Sequence, residues 1–221
     1  MGLQELERQL ADARQRIAEI GKRISLKDQS WRQEYETANE SSLNLEREIA
    51  KIKDEEYAVP IGFPVKWDTG APLPFLLRND YKAFLTFYLY EPDPNWDGTY
   101  VNVVNPGDGS EASLALVEFL RCHSAKLGSP NDEVLGGHPL DGRGLDAYTA
   151  QKVENSLWIK EIEQINSVHP YYKPAAWRTL NHYVFWFHDT TFECIAESYK
   201  VELFRGSMKE LLAVVCERLV V

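Results

Sequence analysis

Apolar residues recur every seven positions over the first part of the chain, with a further apolar residue between each pair. The first set is Leu3, Leu10, Ile17 and Ile24, and the intermediate set is Leu6, Ala13 and Ile20. A seven-residue repeat with two apolar positions is typical of a coiled-coil helix, whose narrow apolar stripe packs against another helix. We therefore expect an oligomer interface at Leu3, Leu6, Leu10, Ile17, Ile20 and Ile24.

The repeat changes frame after Ile24. Lys27 stands at the next apolar position, and the pattern resumes in a shifted frame at Trp31 and continues to Ile52. In one long helix this shift is a stutter, whereas a chain reversal within residues 25–30 would give a helical hairpin. Because no Gly or Pro lies between residues 22 and 52, the sequence favours the long coiled-coil helix.

The composition changes at Tyr57. The segment YAVPIGFPVKWDTGAPLPF, residues 57–75, is rich in proline and aromatic residues. Proline does not continue a helix, so we expect a helical arm over residues 1–56 and a globular domain over residues 57–221. We call residues 57–75 the strap and expect its aromatic side chains to pack onto the globular domain.

The globular domain alternates strand-like and helix-like segments, which predicts an α+β fold: a mainly antiparallel sheet with two or more helices on one face. A C-terminal helix is predicted after Ser207, where Glu210 completes a capping box. An amphipathic helix is predicted over residues 156–168. The predicted strands are residues 82–91 and 98–105, joined by a polar turn, one stretch within 112–125, and a hairpin of two long strands over 182–189 and 192–204.

The chain is acidic in both parts. Residues 1–56 hold 10 Lys and Arg against 13 Asp and Glu, and residues 57–221 hold 14 against 21, which gives the net charge of −10. Proteins that bind nucleic-acid backbones neutralise phosphates with Lys and Arg, so we expect no nucleic-acid partner. The mixed polar face of the arm and the absence of a long apolar run also argue against a membrane partner.

Three widely spaced cysteines, Cys122, Cys194 and Cys216, form no CxxC pair. This pattern is typical of a reducing compartment, so we expect a cytoplasmic protein with free thiols. The five histidines follow none of the spacings that hold zinc, because no HxH, HxxxH or HExxH motif occurs. We expect no metal and no cofactor.

A glycine-rich stretch, GGHPLDGRGLDAY, covers residues 136–148. Glycines permit left-handed backbone, and successive N–H groups in such a loop can cradle an anion that an arginine clamps. The candidate ligand-binding residues are therefore Gly137, His138, Arg143 and Gly144. In the alternative, carboxylates within residues 130–133 pair with the arginine and staple the loop.

The predicted hairpin tip HDTTFE offers candidate catalytic residues. A histidine beside carboxylates can move protons, which makes His188, Asp189 and Glu193 candidates together with His138 of the glycine-rich stretch. The tip is equally typical of a turn in which Asp189 accepts backbone hydrogen bonds.

Three segments together, SPNDEVLGGHPLDGRGLDAY, ENSLWIKEIEQINSVHP and HYVFWFHDTTFECIAE, resemble a set of uncharacterised bacterial hypothetical proteins. The resemblance covers roughly residues 116–200 and leaves out the helical arm. It implies no activity, cofactor or catalytic residue, but it implies that the glycine-rich stretch and the hairpin tip belong to one domain.

The periodicity of the arm is a stronger signal than any catalytic candidate, because each of those candidates has a structural explanation. The sequence therefore predicts an interaction protein that oligomerises or docks a partner through residues 3–53 and carries an α+β recognition domain. The alternative is an enzyme or small-anion-binding protein that uses the glycine-rich stretch and the hairpin tip, residues 188–193. The two hypotheses differ in whether these two segments converge in one pocket.

Overall fold

The structure is a computed structural model that describes residues 2–23, 30–92, 104–107 and 109–220. Ile24 of the predicted interface, the polar turn after residue 91 and most of the strand predicted over 98–105 lie outside the described residues. The chain divides into two compact units, and the division predicted at residue 57 stays a prediction. The helical unit holds Met1–Val59, Gly136–Asp146 and Val153–Leu157, and the sheet unit holds Pro60–Leu135, Ala147–Lys152 and Trp158–Val221.

The helical unit contains two helices, α1 (Leu3–Gly21) and α2 (Trp31–Ile52), in place of the long continuous helix that the sequence favoured. They run antiparallel, because Lys53 Nζ lies 2.9 Å from Glu7 Oε1 at one end and Arg23 Nη2 lies 2.9 Å from Glu34 Oε2 at the other. Glycine is among the poorest helix formers, and α1 ends at Gly21. The hairpin alternative therefore describes the two helices.

The predicted apolar stripe is only partly buried. Leu6 and Ile20 are 1% and 0% exposed, whereas Leu3, Leu10 and Ile17 are half-buried. In a hairpin of two helices, each helix has a single partner, which covers only part of its apolar stripe. A coiled-coil interface between chains stays a prediction.

The α+β class is confirmed, but the strands form two sheets where one was expected. One sheet has the order β1-β6-β7-β8-β5 and the other the order β2-β3-β4-β9. The strands are β1 (Tyr57–Pro60), β2 (Phe75–Arg78), β3 (Ala83–Tyr88), β4 (Ala112–Leu120), β5 (Ser124–Gly128), β6 (Ala150–Glu154), β7 (Asn181–Trp186), β8 (Thr191–Ala196) and β9 (Ser198–Gly206).

The predicted long strand over residues 192–204 is in fact two strands. β8 pairs antiparallel with β7 in the first sheet, whereas β9 pairs with β4 along its whole length in the second. The chain changes sheets at Glu197, between β8 and β9. This arrangement lets residues adjacent in sequence belong to both layers of one core.

Strands β3 and β4 of one sheet and β7 and β8 of the other enclose the main core of the sheet unit. Alternate residues of β3, β4, β7 and β8 point into it, as expected for strands with a period of two. The strap contributes Phe63 and Trp67, so the prediction that its aromatic residues pack onto the domain is confirmed. Trp67 stacks on Phe185 with ring centroids 5.8 Å apart and an angle of 13° between the rings.

Two helices cover the outer faces of the sheets: α3 (Leu157–Asn166) packs beside β8, and α4 (Met208–Val220) packs on β3 and β4. The helices therefore lie on two faces, not on one as predicted. The capping box of α4 is confirmed, because the Ser207 N–H donates to Glu210 Oε2 at 2.8 Å and the Glu210 N–H donates to Ser207 Oγ at 3.2 Å. Short 3-10 helices occur at Asp132–Gly137 and Pro174–Ala176. Among the described helices, none is long and apolar enough to cross a bilayer.

Candidate functional site

The glycine-rich loop is built into the helical unit. Gly142 and Gly144 adopt left-handed backbone, with φ of 71° and 80°. The Gly144 N–H donates to Glu46 Oε2 at 3.0 Å, and Arg14 donates to the other oxygen of that carboxylate at 2.9 Å. A carboxylate of the chain thus occupies the position at the Gly144 amide where an anionic ligand was expected.

Arg47 of α2 fastens the same loop from the other side. Its Nε donates to the Ala58 carbonyl at 2.8 Å, and its Nη2 donates to the Gly144 carbonyl at 2.9 Å. The Ala58 N–H in turn donates to the Arg143 carbonyl at 2.9 Å. Burial lowers the pKa of this arginine from its ordinary value, as expected for a guanidinium held among backbone carbonyls.

The remaining ligand candidates of the loop have local contacts. The Leu140 N–H donates to His138 Nδ1 at 3.1 Å, and Arg143 Nε lies 3.4 Å from Glu55 Oε2. The carboxylate that meets the arginine therefore comes from residue 55 and not from residues 130–133. Gly137 is exposed. Ligand binding by Gly137, His138, Arg143 and Gly144 stays a prediction, and no contact described here requires it.

The hairpin tip places a histidine among carboxylates. His188 Nδ1 lies 2.9 Å from Asp189 Oδ1, and His188 Nε2 lies 4.0 Å from Asp132 Oδ2. The hydrogen bond from the His188 ring to Asp189, followed by the charge of Asp132, raises the pKa of His188 above its ordinary value. The Asp132 N–H donates to the His188 carbonyl at 3.0 Å, which ties the tip to the first residue of the 3-10 helix.

Tyr148 joins this cluster to a cavity. Its hydroxyl donates to Asp132 Oδ2, and the residue also lines the cavity described below. Its φ of 56° lies in the left-handed region, which costs energy for a residue with a bulky side chain and is found most often at functional sites. Burial, together with the bond to Asp132, raises the pKa of Tyr148 to about 12, so the phenol stays protonated at neutral pH.

Glu193 lies in a separate cluster. His182 Nε2 is 2.8 Å from Glu193 Oε2, and Lys126 Nζ is 2.7 Å from the other oxygen. Alternate residues of β8 face opposite sides of the sheet, so Phe192 and Cys194 lie in the main core and Glu193 faces the side covered by α3. On that side, Trp158 packs edge-on against His182. Of the predicted catalytic group, the structure brings together His188 and Asp189 only. His138 belongs to the helical unit.

The cavity in the sheet unit has a volume of about 460 Å³. Its apolar part comes mainly from the strap, with Phe63 and Trp67 as the largest side chains, and its other lining residues include Lys66 of the strap and Tyr148. The lining residues are Ile61, Phe63, Val65, Lys66, Trp67, Thr69, Tyr90, Tyr148, Thr149 and Ala150.

Trp67 carries an unsatisfied donor at this site. The residue is 4% exposed, and its indole N–H is buried without a hydrogen-bond acceptor among the described residues. Buried donors are nearly always paired in folded proteins, because leaving one unpaired costs about 1–3 kcal/mol. Trp67 thus combines a large aromatic surface in the lining of the cavity with a buried, unpaired indole N–H.

Sequence reasoning missed the residues of this cavity. Tyr148 ended the glycine-rich stretch, and Lys66 and Trp67 stood in the strap, where only packing was expected. The available signal was the aromatic and proline-rich composition of the strap, which is unusual for a plain connection. Within the described residues, no group of three His, Cys, Asp or Glu side chains is placed to hold a metal ion.

Comparison of the chain with models of protein families, with curated proteins and with solved structures finds no match. The site is therefore interpreted from its geometry.

Proposed function

We propose that the sheet unit binds a small molecule with a flat apolar ring and an acidic group in the cavity lined by the strap and Tyr148. The main support for this proposal is the cavity of about 460 Å³, whose lining combines aromatic side chains with a few polar ones. Pockets of roughly 300–1,000 Å³ with this lining are the usual form of small-molecule sites. Trp67 adds a large aromatic surface to this lining, against which a flat ring can pack.

The positive charge of Lys66 is the reason for inferring an acidic group on the ligand. Its ammonium has no ion-pair partner among the described residues, whereas many other cations of the chain are paired with carboxylates. A chain with a net charge of −10 attracts cations in general. A preference of the cavity for an anion would therefore have to come from the charge of Lys66.

The properties of Tyr148 favour a role in ligand binding over a role as a catalytic base. Because its pKa is raised to about 12, the phenol is a poor general base at neutral pH. Its hydroxyl already donates its proton to Asp132, which leaves the phenol oxygen as an acceptor.

The ligand class is tested with three naphthalene probes of similar shape: 2-naphthoate, the neutral 2-naphthamide and the cationic 2-naphthylmethylamine. Calorimetry should give one site per chain for 2-naphthoate with a dissociation constant of about 1–2 mM, from about 0.3 kcal/mol per non-hydrogen atom. Its affinity should exceed that of the amide by about twofold to fivefold, as expected for one exposed charge pair.

Two variants locate the charge that causes this preference. Lys66→Gln should remove the difference between naphthoate and naphthamide, whereas Lys209→Gln, which removes an exposed lysine of α4 away from the lining residues, should leave it unchanged. Equal affinities for all three probes in the unmodified chain would contradict the acidic ligand. No binding of any of them would contradict the aromatic ligand class.

The helical unit carries a second candidate function, namely association with a second copy of the hairpin. It is favoured by the half-buried Leu3, Leu10 and Ile17, which a four-helix bundle of two hairpins would cover. A groove of about 640 Å³ between α1 and α2, lined by small residues (Ala13, Ala38 and Ser41) beside charged ones (Asp12, Arg16 and Glu34), leaves space for another helix.

Light scattering tests this association. The full chain should show twice its mass of 25.4 kDa at high concentration, and Ile17→Lys should return it to the single mass, because a charge in the stripe opposes packing. The matched control is Ala18→Lys, which places the same charge at the next, exposed position of α1. A single mass at every concentration would contradict self-association.

A further inference from the structure

Two cysteines far apart in sequence meet in the core of the sheet unit. Cys122 follows β4, and Cys194 lies in β8; the His123 N–H donates to the Ile195 carbonyl at 2.8 Å, which brings the two segments side by side. Both side chains belong to the main core, and each thiol shifts the pKa of the other. The Cys122 Sγ also lies 3.4 Å from the Ser124 carbonyl oxygen.

The two thiols differ in access and in electrostatics. Cys122 is 7% exposed, whereas Cys194 is fully buried. The hydrogen bond from Cys194 lowers the pKa of Cys122, and the positive charge of Arg78 acts in the same direction, whereas burial raises the pKa of Cys194. One thiol thus ionises more readily and is the more accessible, and the other is held against it. This asymmetry is typical of an attacking and a resolving cysteine.

We propose that Cys122 and Cys194 are a site of reversible oxidation, in which hydrogen peroxide converts the thiol pair into a disulfide. The Cys122 thiolate attacks one peroxide oxygen, the O–O bond breaks, and hydroxide leaves, so that Cys122 becomes a sulfenic acid. The Cys194 sulfur then attacks the Cys122 sulfur, the S–O bond breaks, and the departing hydroxide takes the Cys194 proton as water. The two sulfurs are oxidised, the peroxide is reduced to water, and a dithiol reductant reverses the change.

Intact-mass spectrometry of the full chain tests this site. The third thiol, Cys216, is exposed on α4, so the experiment uses a Cys216→Ser background. After treatment with hydrogen peroxide, the chain should lose the mass of two hydrogen atoms and both remaining thiols should resist maleimide. Dithiothreitol should restore the mass and the reactivity. A gain of oxygen atoms without loss of hydrogen, or no change, would overturn the proposal.

Variants separate the two roles. With Cys194→Ala, oxidation should stop at the Cys122 sulfenic acid, which dimedone traps as an adduct, whereas Cys122→Ala should give neither adduct nor disulfide. Arg78→Gln changes an exposed residue at the end of β2 and should slow the loss of thiols by about twofold to fivefold, because it removes the cation that favours the thiolate. If thiols are lost from Arg78→Gln at the unchanged rate and dimedone labels Cys194 before Cys122, the two roles are reversed and the proposal is overturned. Circular dichroism before oxidation checks that each variant is folded.

Discussion

Gly144 combines left-handed backbone with a space that admits no side chain. Its φ is 80°, and a Cβ atom at this position would lie 2.6 Å from Arg47 Cγ and 2.7 Å from the Ala58 carbonyl oxygen. The same residue donates its N–H to Glu46. The glycine therefore allows α2, the loop and β1 to approach one another closely, which is a packing role within the helical unit.

Gly144→Ala should lower the free energy of unfolding by about 1–3 kcal/mol, because both backbone strain and the clash with the Ala58 carbonyl oppose a side chain there. The matched control is Gly137→Ala in the same loop, where a Cβ atom would meet nothing within 4 Å. Urea unfolding of both variants measures the difference. Equal stability of the two would show that the loop does not need glycine at position 144.

His188 should titrate above its ordinary pKa of 6.5. The hydrogen bond to Asp189 raises its pKa in the folded state, so the stability it contributes is fully present below pH 6.5 and is lost as the pH rises through the folded pKa. Proton NMR of the imidazole measures this directly. Asp189→Asn should lower the pKa of His188 more than Glu133→Gln does, since Glu133 acts only as a more distant charge. Equal effects of the two variants would contradict a role for the direct hydrogen bond.

At the scale of elements, the sequence predicted best what is local. The capping box of α4 follows from Ser207 and Glu210, three residues apart, and the structure has both of its hydrogen bonds. The helix predicted over residues 156–168 is α3, Leu157–Asn166, because its apolar spacing is set within a few turns.

The helical arm shows where local patterns give the wrong element. The frame shift after Ile24 fits a stutter and a reversal equally well by periodicity, and the absence of Gly and Pro beyond residue 22 favoured the stutter. Gly21, one residue before that interval, is the end of α1. The reversal is stabilised by contacts between distant residues, such as Arg14 with Glu46, and these are not visible in a window of the sequence.

The same limit applies to strands. The β-branched and aromatic residues of 192–204 predict one continuous strand, yet β8 and β9 pair with different strands. Pairing is decided by which neighbour each segment meets, and β4 lies about 80 residues away in sequence from β9. Strand content was therefore predictable, and the division into two sheets was not.

At the scale of the whole molecule, the candidate site depends on residues that only the fold brings together. The strap supplies Lys66 and Trp67, and Tyr148 reaches the same cavity from the end of the glycine-rich stretch. Sequence reasoning identified that stretch but assigned its chemistry to Arg143, which pairs with Glu55 in the helical unit. It also identified His188 and Asp189, which lie together, but could not show that Tyr148 connects Asp132 to a cavity.

The central claim is that the cavity beside Trp67 binds a small aromatic acid, and NMR of the tryptophan indole N–H groups tests it most directly. With 15N-labelled chain and increasing 2-naphthoate, the indole signal of Trp67, assigned through Trp67→Phe, should shift in a saturable way because an aromatic ring bound in the cavity lies against this side chain. The signal of Trp31, in the helical unit, should stay in place. A stationary Trp67 signal, or shifts of equal size at both tryptophans, would contradict binding in this cavity.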